Sequence, residues 1–395
     1  MKHNNTLIDQ NFDTLTKSPL FNLSLANKEL FHSNFIAWFG TMYPSYFISL
    51  INNISNPQTS LNFNNIDIRR EWNHFDISVF ENKSSKTPLL IIENKVKSVP
   101  TKAQLDQYNE RIEKINKDCI RILLTMNKQL QNGEDITSKW TIVNYNTLSE
   151  KLNQVTSNAQ ITNTYHEALI KDYSTYIIAL EKTINEVADN KLLFYKLDKL
   201  QKLGIHDICG KRKMQEVYNI VSEKLNDLKN NLTFKWDYTD EALFEVKFKG
   251  RNNDDVILIQ IQGKQYRHCV EFFDKKIGVR ITNRYNNKEE KFGPNSNGIQ
   301  YLQKNYNNIL FSEDALNKYP DKLKNNEEIK EFGNNGGING YCKYCNGKPN
   351  KDNKFSCFVY QWVKIPDKMS INDLAEIIEQ DTRNLYNIIN PTKPN

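Results

Sequence analysis

The sequence predicts an α/β protein: a mixed central sheet flanked by helices, then a helical segment, then a second α+β domain. Three observations lead there. Short β-patterned segments at 66–72, 75–80 and 89–95 follow one another across turns, whereas those at 119–126 and 140–145 come after a helix-patterned stretch. A helix between two strands implies a crossover with parallel pairing, so the sheet should be antiparallel at its hairpin and parallel beyond the helix. From 146 to 230 the pattern is helical, and after 231 it returns to short alternating runs broken by Asp, Asn and Gly, as in an antiparallel sheet. The expected division is 1–190, a helical connector at 191–230, and 231–395.

The bulk numbers are compatible with this. A chain of 395 residues can bury two cores, and 38% hydrophobic with 25% charged residues is consistent with a soluble protein rather than a disordered or membrane one. No run approaches the ~18 apolar residues of a membrane span, and Met1-Lys-His-Asn-Asn5 lacks the apolar stretch of a secretory signal, so the expected location is the cytoplasm. The net charge of +6 permits a phosphate-bearing partner without demanding one. Six scattered cysteines make no disulfide framework. Only Cys342-x-x-Cys345 has ligand-like spacing; Cys357 and the distant His268-Cys269 supply no second close pair, so these read as loop and core thiols.

Taken in order, residues 1–20 are polar and expected to be loosely held. A helix then begins at Leu25 or Asn27, with Leu30, Phe31, Phe35, Trp38 and Phe39 approximating one stripe, and ends near Gly40; a second helical piece covers 46–54. Glu29, His32 and Ser33 lie at i, i+3 and i+4 and share a face. Read alone, Glu29 complements the helix dipole and His32 is a satisfied core or surface residue. If that face looks toward the strand ends, Glu29 becomes an outer metal ligand or a water-orienting group.

The strand at 89–95 starts as a continuous apolar run after Pro88, expected to be buried on both faces, and ends in Glu93, Asn94 and Lys95. Because side chains alternate along a strand, Glu93 and Lys95 share one face and Asn94 takes the other. The preceding strand, through a hairpin, delivers Asp76 near Glu93. Two carboxylates, with the main-chain carbonyl of Asn94 as a further oxygen, suit a hard cation such as Mg2+, which takes one or two carboxylates plus water and substrate phosphate. Such an ion polarises a phosphoryl group and acidifies a bound water, while Lys95 positions that water or stabilises developing charge. The reaction implied is phosphodiester hydrolysis; the plain alternative is a strand ending in an exposed Glu and Lys.

A helix follows. Thr101 to Gln104 has capping-box spacing, Ser98 is a rival cap that would put Pro100 in the first turn, and Gln104 and Tyr108 stand one turn apart on one face. Gln104 as a cap competes with Gln104 in the site, and Tyr108 as a packed aromatic competes with Tyr108 beside it. Lys97 and Lys102 flank the turn, placed for phosphate contacts.

Asp76, then Glu93-Asn94-Lys95 about a hairpin later, resembles the PD-(D/E)XK nuclease superfamily in the form Asp…Glu-x-Lys. Gln104 and Tyr108 are similar to the Gln-x-x-x-Tyr motif of its RecB-like branch. The stretch from Asn27 to Trp38 looks like the opening helix of a group of small prokaryotic members, whose Glu lies beside the metal site. The resemblance covers about 20–145; it departs from the pattern at Phe75, where the superfamily's Pro should precede the Asp. It implies a restriction-endonuclease-like core and a nuclease using Mg2+ or Mn2+. Asp76 and Glu93 would hold the metal, Lys95 would position water or stabilise charge, Glu29 would support them, and Gln104 and Tyr108 would orient the site. It implies DNA before RNA as the partner, dimerisation for double-strand cutting, and phage or mobile-element defence as the setting. The iron–sulfur cluster of some RecB-like nucleases matches this cysteine spacing poorly. The competing class is a silent or trigger-dependent nucleic-acid-binding or sensor protein on the same core.

In the second half, helices are expected at 147–152, 165–187, 191–203 and 215–228, interrupted at 204–210, where His206 and Asp207 receive no role. Strands are expected at 234–238, 243–249, 256–262, 267–273, 277–281 and 355–363, with a final helix from Ile371, capped by Ser370, to about 389. Basic and aromatic residues interleave at Lys235-Trp236, Lys247-Phe248-Lys249, Tyr266-Arg267-His268 and Arg284-Tyr285. Nucleic-acid surfaces look like this, and so does any half-buried strand. The expected role of 231–395 is target recognition or assembly.

Overall fold

A computed structural model describes residues 7–23, 29–55, 65–96, 102–126, 139–157, 161–237, 242–251, 255–274, 304–306, 323, 339–343 and 355–391. The chain forms two compact units, one of Met1–Asp189 with Lys196–Arg212, the other of Asn190–Tyr195 with Lys213–Asn395. The stretch 191–230 is thus divided between them.

The first unit opens with α1 (Leu7–Lys17) and α2 (Pro19–Leu23), where a loosely held segment was expected. Ile8, Asn11, Phe12 and Leu15 recur at helical spacing and are buried, which supplies the apolar face that polar neighbours disguise in sequence. Next come α3 (Glu29–Met42) and α4 (Pro44–Ile54), then β1 (Asp67–Trp72), β2 (Phe75–Phe80), β3 (Leu90–Lys95), α5 (Lys102–Ile115), β4 (Ile120–Thr125) and β5 (Thr141–Asn144). The expected starts at Leu25 and Asn27 lie outside the described residues, and Leu30, expected in the apolar stripe, is exposed. The five strands form one sheet in sequence order. β1–β2 and β2–β3 are antiparallel, β3–β4 and β4–β5 parallel. This is the mixed sheet the sequence predicts.

The β1–β2 hairpin turns on Asn73 and His74, both at positive φ (50° and 66°), as a two-residue hairpin turn requires. β3, the middle strand, is buried along its whole length. On one face Leu105 and Ile112 of α5 pack with Phe75, Ile91, Leu123 and Trp140. Asn109 anchors α5 by accepting from Arg121 Nη1 (2.7 Å) and Trp140 Nε1 (3.0 Å).

After β5 come α6 (Tyr145–Ser157) and α7 (Thr164–Asp189). Tyr145, expected to end a strand, starts α6, because Asn144 Oδ1 accepts from Thr147 N (2.7 Å) and caps the helix. The helix expected over 191–203 shrinks to α8 (Leu197–Lys202). Lys196 is left-handed at φ 55°, and Leu192 is bridged to Ser370. Gly204, at φ 70°, breaks the chain before α9 (His206–Lys224), which takes in Gly210.

The second unit holds a six-stranded antiparallel sheet, order β10-β11-β9-β8-β7-β6. Its strands are β6 (Thr233–Asp237), β7 (Ala242–Lys249), β8 (Val256–Gln262), β9 (Gln265–Asp274), β10 (Asn339–Lys343) and β11 (Phe355–Lys364); α10 (Ile371–Ile389) follows. Ser370 caps α10, accepting from Asp373 N (3.0 Å). Asp381 of α10 accepts from Tyr266 Oη (2.7 Å) and pairs with His268 Nε2 (2.5 Å), all three buried. β10 was not anticipated; it places Cys342 opposite Cys357 in register. Cys345, Tyr238, 277–281 and Arg284-Tyr285 lie outside the described residues. Trp236, Phe248 and Tyr266 are buried while Lys235, Lys247, Lys249 and Arg267 are not, but His268 is buried as well and residues 243–246 of β7 are buried on both faces. Among the described residues no helix is long and apolar enough to cross a membrane.

Candidate active site

The site lies where β2 and β3 stop pairing. Their register ends at Ile77 opposite Ile92, so Asp76 and Glu93 are the next residues out on each strand. There Asn94 N–H donates to Asp76 Oδ2 (2.7 Å); a carboxylate takes the place at which a strand ladder would continue. Arg70 Nε donates to the Asp76 carbonyl (2.7 Å) and fixes the main chain behind it.

Glu93 and Lys95 share a face, as alternation requires, and form an ion pair of 2.7 Å, both buried. Burial pushes the Glu93 carboxyl up to about 7; the Asp76 charge adds to this, while Lys95 opposes it. Burial also raises Asp76, helped by the charges of Glu29 and Glu71 against the Asn94 N–H and Lys95. For Lys95, burial acts downward but the charges of Glu93 and Glu29 outweigh it, so the amine stays an ammonium. The second Glu93 oxygen, Oε2, is buried without a hydrogen-bond partner.

Asn94 faces the other way. Its Nδ2 donates to the Glu29 carbonyl (3.0 Å) and to Ser33 Oγ (3.1 Å), and its Oδ1 accepts from Tyr145 Oη. Of Asn94, therefore, only the main-chain carbonyl is a candidate metal donor. Glu29, first residue of α3, accepts from Val96 N with Oε1 (3.0 Å). Glu29 thus sits at the strand end, held to the main chain just past Lys95. His32 does not join it. The ring is fully buried with Nδ1 against Tyr173 Oη (3.2 Å), and burial lowers it to about 3, so it is neutral.

From α5, Tyr108 stands beside the same carboxylate; burial first, then the Glu93 charge, raise its hydroxyl above the ordinary range. Gln104 Nε2 donates to Tyr108 Oη (3.1 Å), so the two act as a bonded pair. The Tyr108 ring also packs edge-on against Phe75 (5.5 Å), which unites its packing and site readings. Lys97, Ser98, Pro100 and Thr101 lie outside the described residues.

The family model of the PD-(D/E)XK nuclease superfamily matches residues 20–175. Over those residues the chain is similar to this superfamily. No curated protein and no solved structure matches the chain. The match embraces α3, β1–β5, α5 and α6, and so every residue of the constellation above.

Superfamily nucleases generally use divalent metals, and the residues fit one. A buried carboxylate oxygen without a partner, a second carboxylate one residue past the last pair, and only oxygen donors suit a hard cation. Among the described residues no three Asp, Glu, His or Cys side chains form a ready metal cluster. Mg2+ needs none, since waters and substrate complete its shell. Two residues that join this cluster are not singled out for it by the sequence: Ser33 reads only as part of a helical face and Tyr145 as the end of a strand, yet both bond Asn94. Neither carries a local signal, because their partner Asn94 is 61 and 51 residues away.

Proposed function

We propose that the chain is a metal-dependent nuclease that hydrolyses phosphodiester bonds in DNA, with Mg2+ or Mn2+ as cofactor. The observation that carries this reading is the buried Glu93–Lys95 pair with Asp76 beside it, inside a superfamily domain.

Asp76, Glu93 and the Asn94 carbonyl would hold the ion, which supplies Lewis acidity toward the phosphate and an acidified water. The protein's own groups do the rest. Lys95, kept protonated by Glu93 and Glu29, donates to the attacking water or to a phosphate oxygen as charge grows there, in a site already stripped of solvent. Glu93 tethers that ammonium at 2.7 Å, so it need not be ordered during the reaction. Tyr108, whose phenol is neutral at ordinary pH and is held more firmly so by burial and the Glu93 charge, is a donor beside the same carboxylate, and Gln104 bonds its oxygen. The second unit selects the target or mediates assembly, and the setting is phage or mobile-element defence.

Purified protein incubated with plasmid, single-stranded DNA and RNA, with Mg2+, Mn2+ or EDTA, tests this alongside Asp76→Ala. Metal-dependent cleavage of DNA that vanishes in the variant is expected. Cleavage of RNA alone would change the substrate, and inertness toward all three would favour a silent or triggered protein on this core.

A further inference from the structure

We propose that Asn94 and Tyr145 are positioning residues of this site: the Asn94 side chain, oriented by the Tyr145 hydroxyl, holds the first turn of α3, and with it Glu29, against the strand end bearing Glu93 and Lys95. The inference rests on the nuclease reading and adds to it two residues that act through others.

Asn94 is fully buried and spends its groups on both sides of the site. Its main-chain N–H holds the Asp76 carboxylate (2.7 Å), while its side-chain amide holds the Glu29 carbonyl (3.0 Å) and Ser33 Oγ (3.1 Å). Ser33 Oγ donates in turn to the Glu29 carbonyl (3.0 Å). The contact is returned one residue beyond Lys95, where Val96 N–H donates to Glu29 Oε1 (3.0 Å). Glu29 is therefore bracketed by the residues on either side of Lys95, and a rotation of α3 would move it relative to both Asp76 and the lysine.

The tyrosine decides which way the amide points. The Glu29 carbonyl is a pure acceptor, so Nδ2 must face it, and Oδ1 must then face Tyr145, whose O–H donates. In a buried site the reversed amide would oppose carbonyl to carbonyl at a cost of about 1–3 kcal/mol per unmade bond. Tyr145 is itself immobilised. It is wholly buried at the start of α6, its ring edge-on to His32 (5.2 Å, 68°), and His32 is bonded to Tyr173 (3.2 Å). The fully buried His32, unexplained by the chemistry, thus packs the residue that orients the amide.

The test uses the full-length chain with Tyr145→Phe, Asn94→Ala and the double variant. All three keep the main-chain groups of residue 94, so any metal bond through that carbonyl is retained. Steady-state cleavage is read as kcat and KM, Mg2+ or Mn2+ affinity by calorimetry on metal-stripped protein, and deuterium uptake on the peptide containing Val96. We expect kcat to fall about 10- to 100-fold with KM changed by less than ~3-fold, the size of effect that a small misplacement produces. Faster exchange at Val96 should accompany it, and the double variant should be no worse than Asn94→Ala, because the one Asn94 bond that Tyr145→Phe removes is among the three already lost in Asn94→Ala. Wild-type kcat in Tyr145→Phe, or losses that add in the double variant, would overturn the inference while leaving the nuclease reading intact. If the wild-type protein cuts nothing, the nuclease reading falls instead, and Val96 exchange and metal affinity decide the positioning; both unchanged in Tyr145→Phe would refute it. Should Asn94→Ala fail to fold, Tyr145→Phe, which deletes one oxygen, carries the comparison.

Discussion

Glu93 bears the largest electrostatic load in the site, and its consequence is measurable without substrate. In metal-free protein its carboxyl titrates near 7, against an ordinary 4.5. A raised carboxyl contributes stability that is fully present below the ordinary value and is lost as pH rises through the folded one; the full shift is worth about 3 kcal/mol. In EDTA, the melting temperature of Glu93→Gln relative to wild type should therefore climb between pH 5 and pH 8. A pH-independent difference would show that Glu93 ionises normally. Lys95 makes the matching prediction for rate: Lys95→Ala should lower kcat about 100- to 1,000-fold, as loss of one preorganised donor does, with little change in DNA affinity by anisotropy. That Asp76, Glu93 and Lys95 come together was legible, because a strand's two-residue period is local and an apolar run ending in charge breaks it. Tyr145 was not, because what makes it matter is a hydrogen bond to Asn94 across 51 residues.

At the scale of elements, α3 owes its place as much to a missing side chain as to its contacts. A Cβ on Gly40 would meet the Phe47 ring at 2.9 Å and the end of the Ile68 side chain, so α3 rests directly on β1 and α4. Phe47 is fully buried and has nowhere to retreat. Gly40→Ala should gain about 1 kcal/mol of helix propensity and still be net destabilising by about 1–2 kcal/mol, since overpacking a tight core costs more than that. Urea unfolding checks the sign; a more stable variant would mean the ring yields. Elements with a clean period were readable to within a few residues, β2, β3, α7 and α10 among them. Those set by tertiary contact were not. The segment 191–203 has helical composition, yet Leu192 bridges Ser370 and Lys196 turns left-handed, so only Leu197–Lys202 winds up. Likewise α1 was hidden because its buried face includes Asn11.

For the molecule as a whole, the second unit was legible as an antiparallel sheet but not in its strand order, because β10 is a short strand containing Gly340 that joins β11 at the sheet edge, while β11 pairs with β9. Such non-local pairings leave no mark on periodicity. The count of sites has a further consequence. Among the described residues one Asp76–Glu93–Lys95 constellation is present per chain, and on the proposed nuclease reading one site handles one strand at a time, so a lone chain would nick duplex DNA and would have to rebind or turn to cut the opposite strand. With supercoiled plasmid, nicked circles should accumulate ahead of linear product at low protein concentration. If two chains pair on the duplex, linear product should rise with the square of concentration and nicked circles should cease to accumulate, with dimers seen by sedimentation over the same range. Linear product forming directly at every concentration, from protein that sediments as a monomer, would mean that a second cutting site lies elsewhere in the chain.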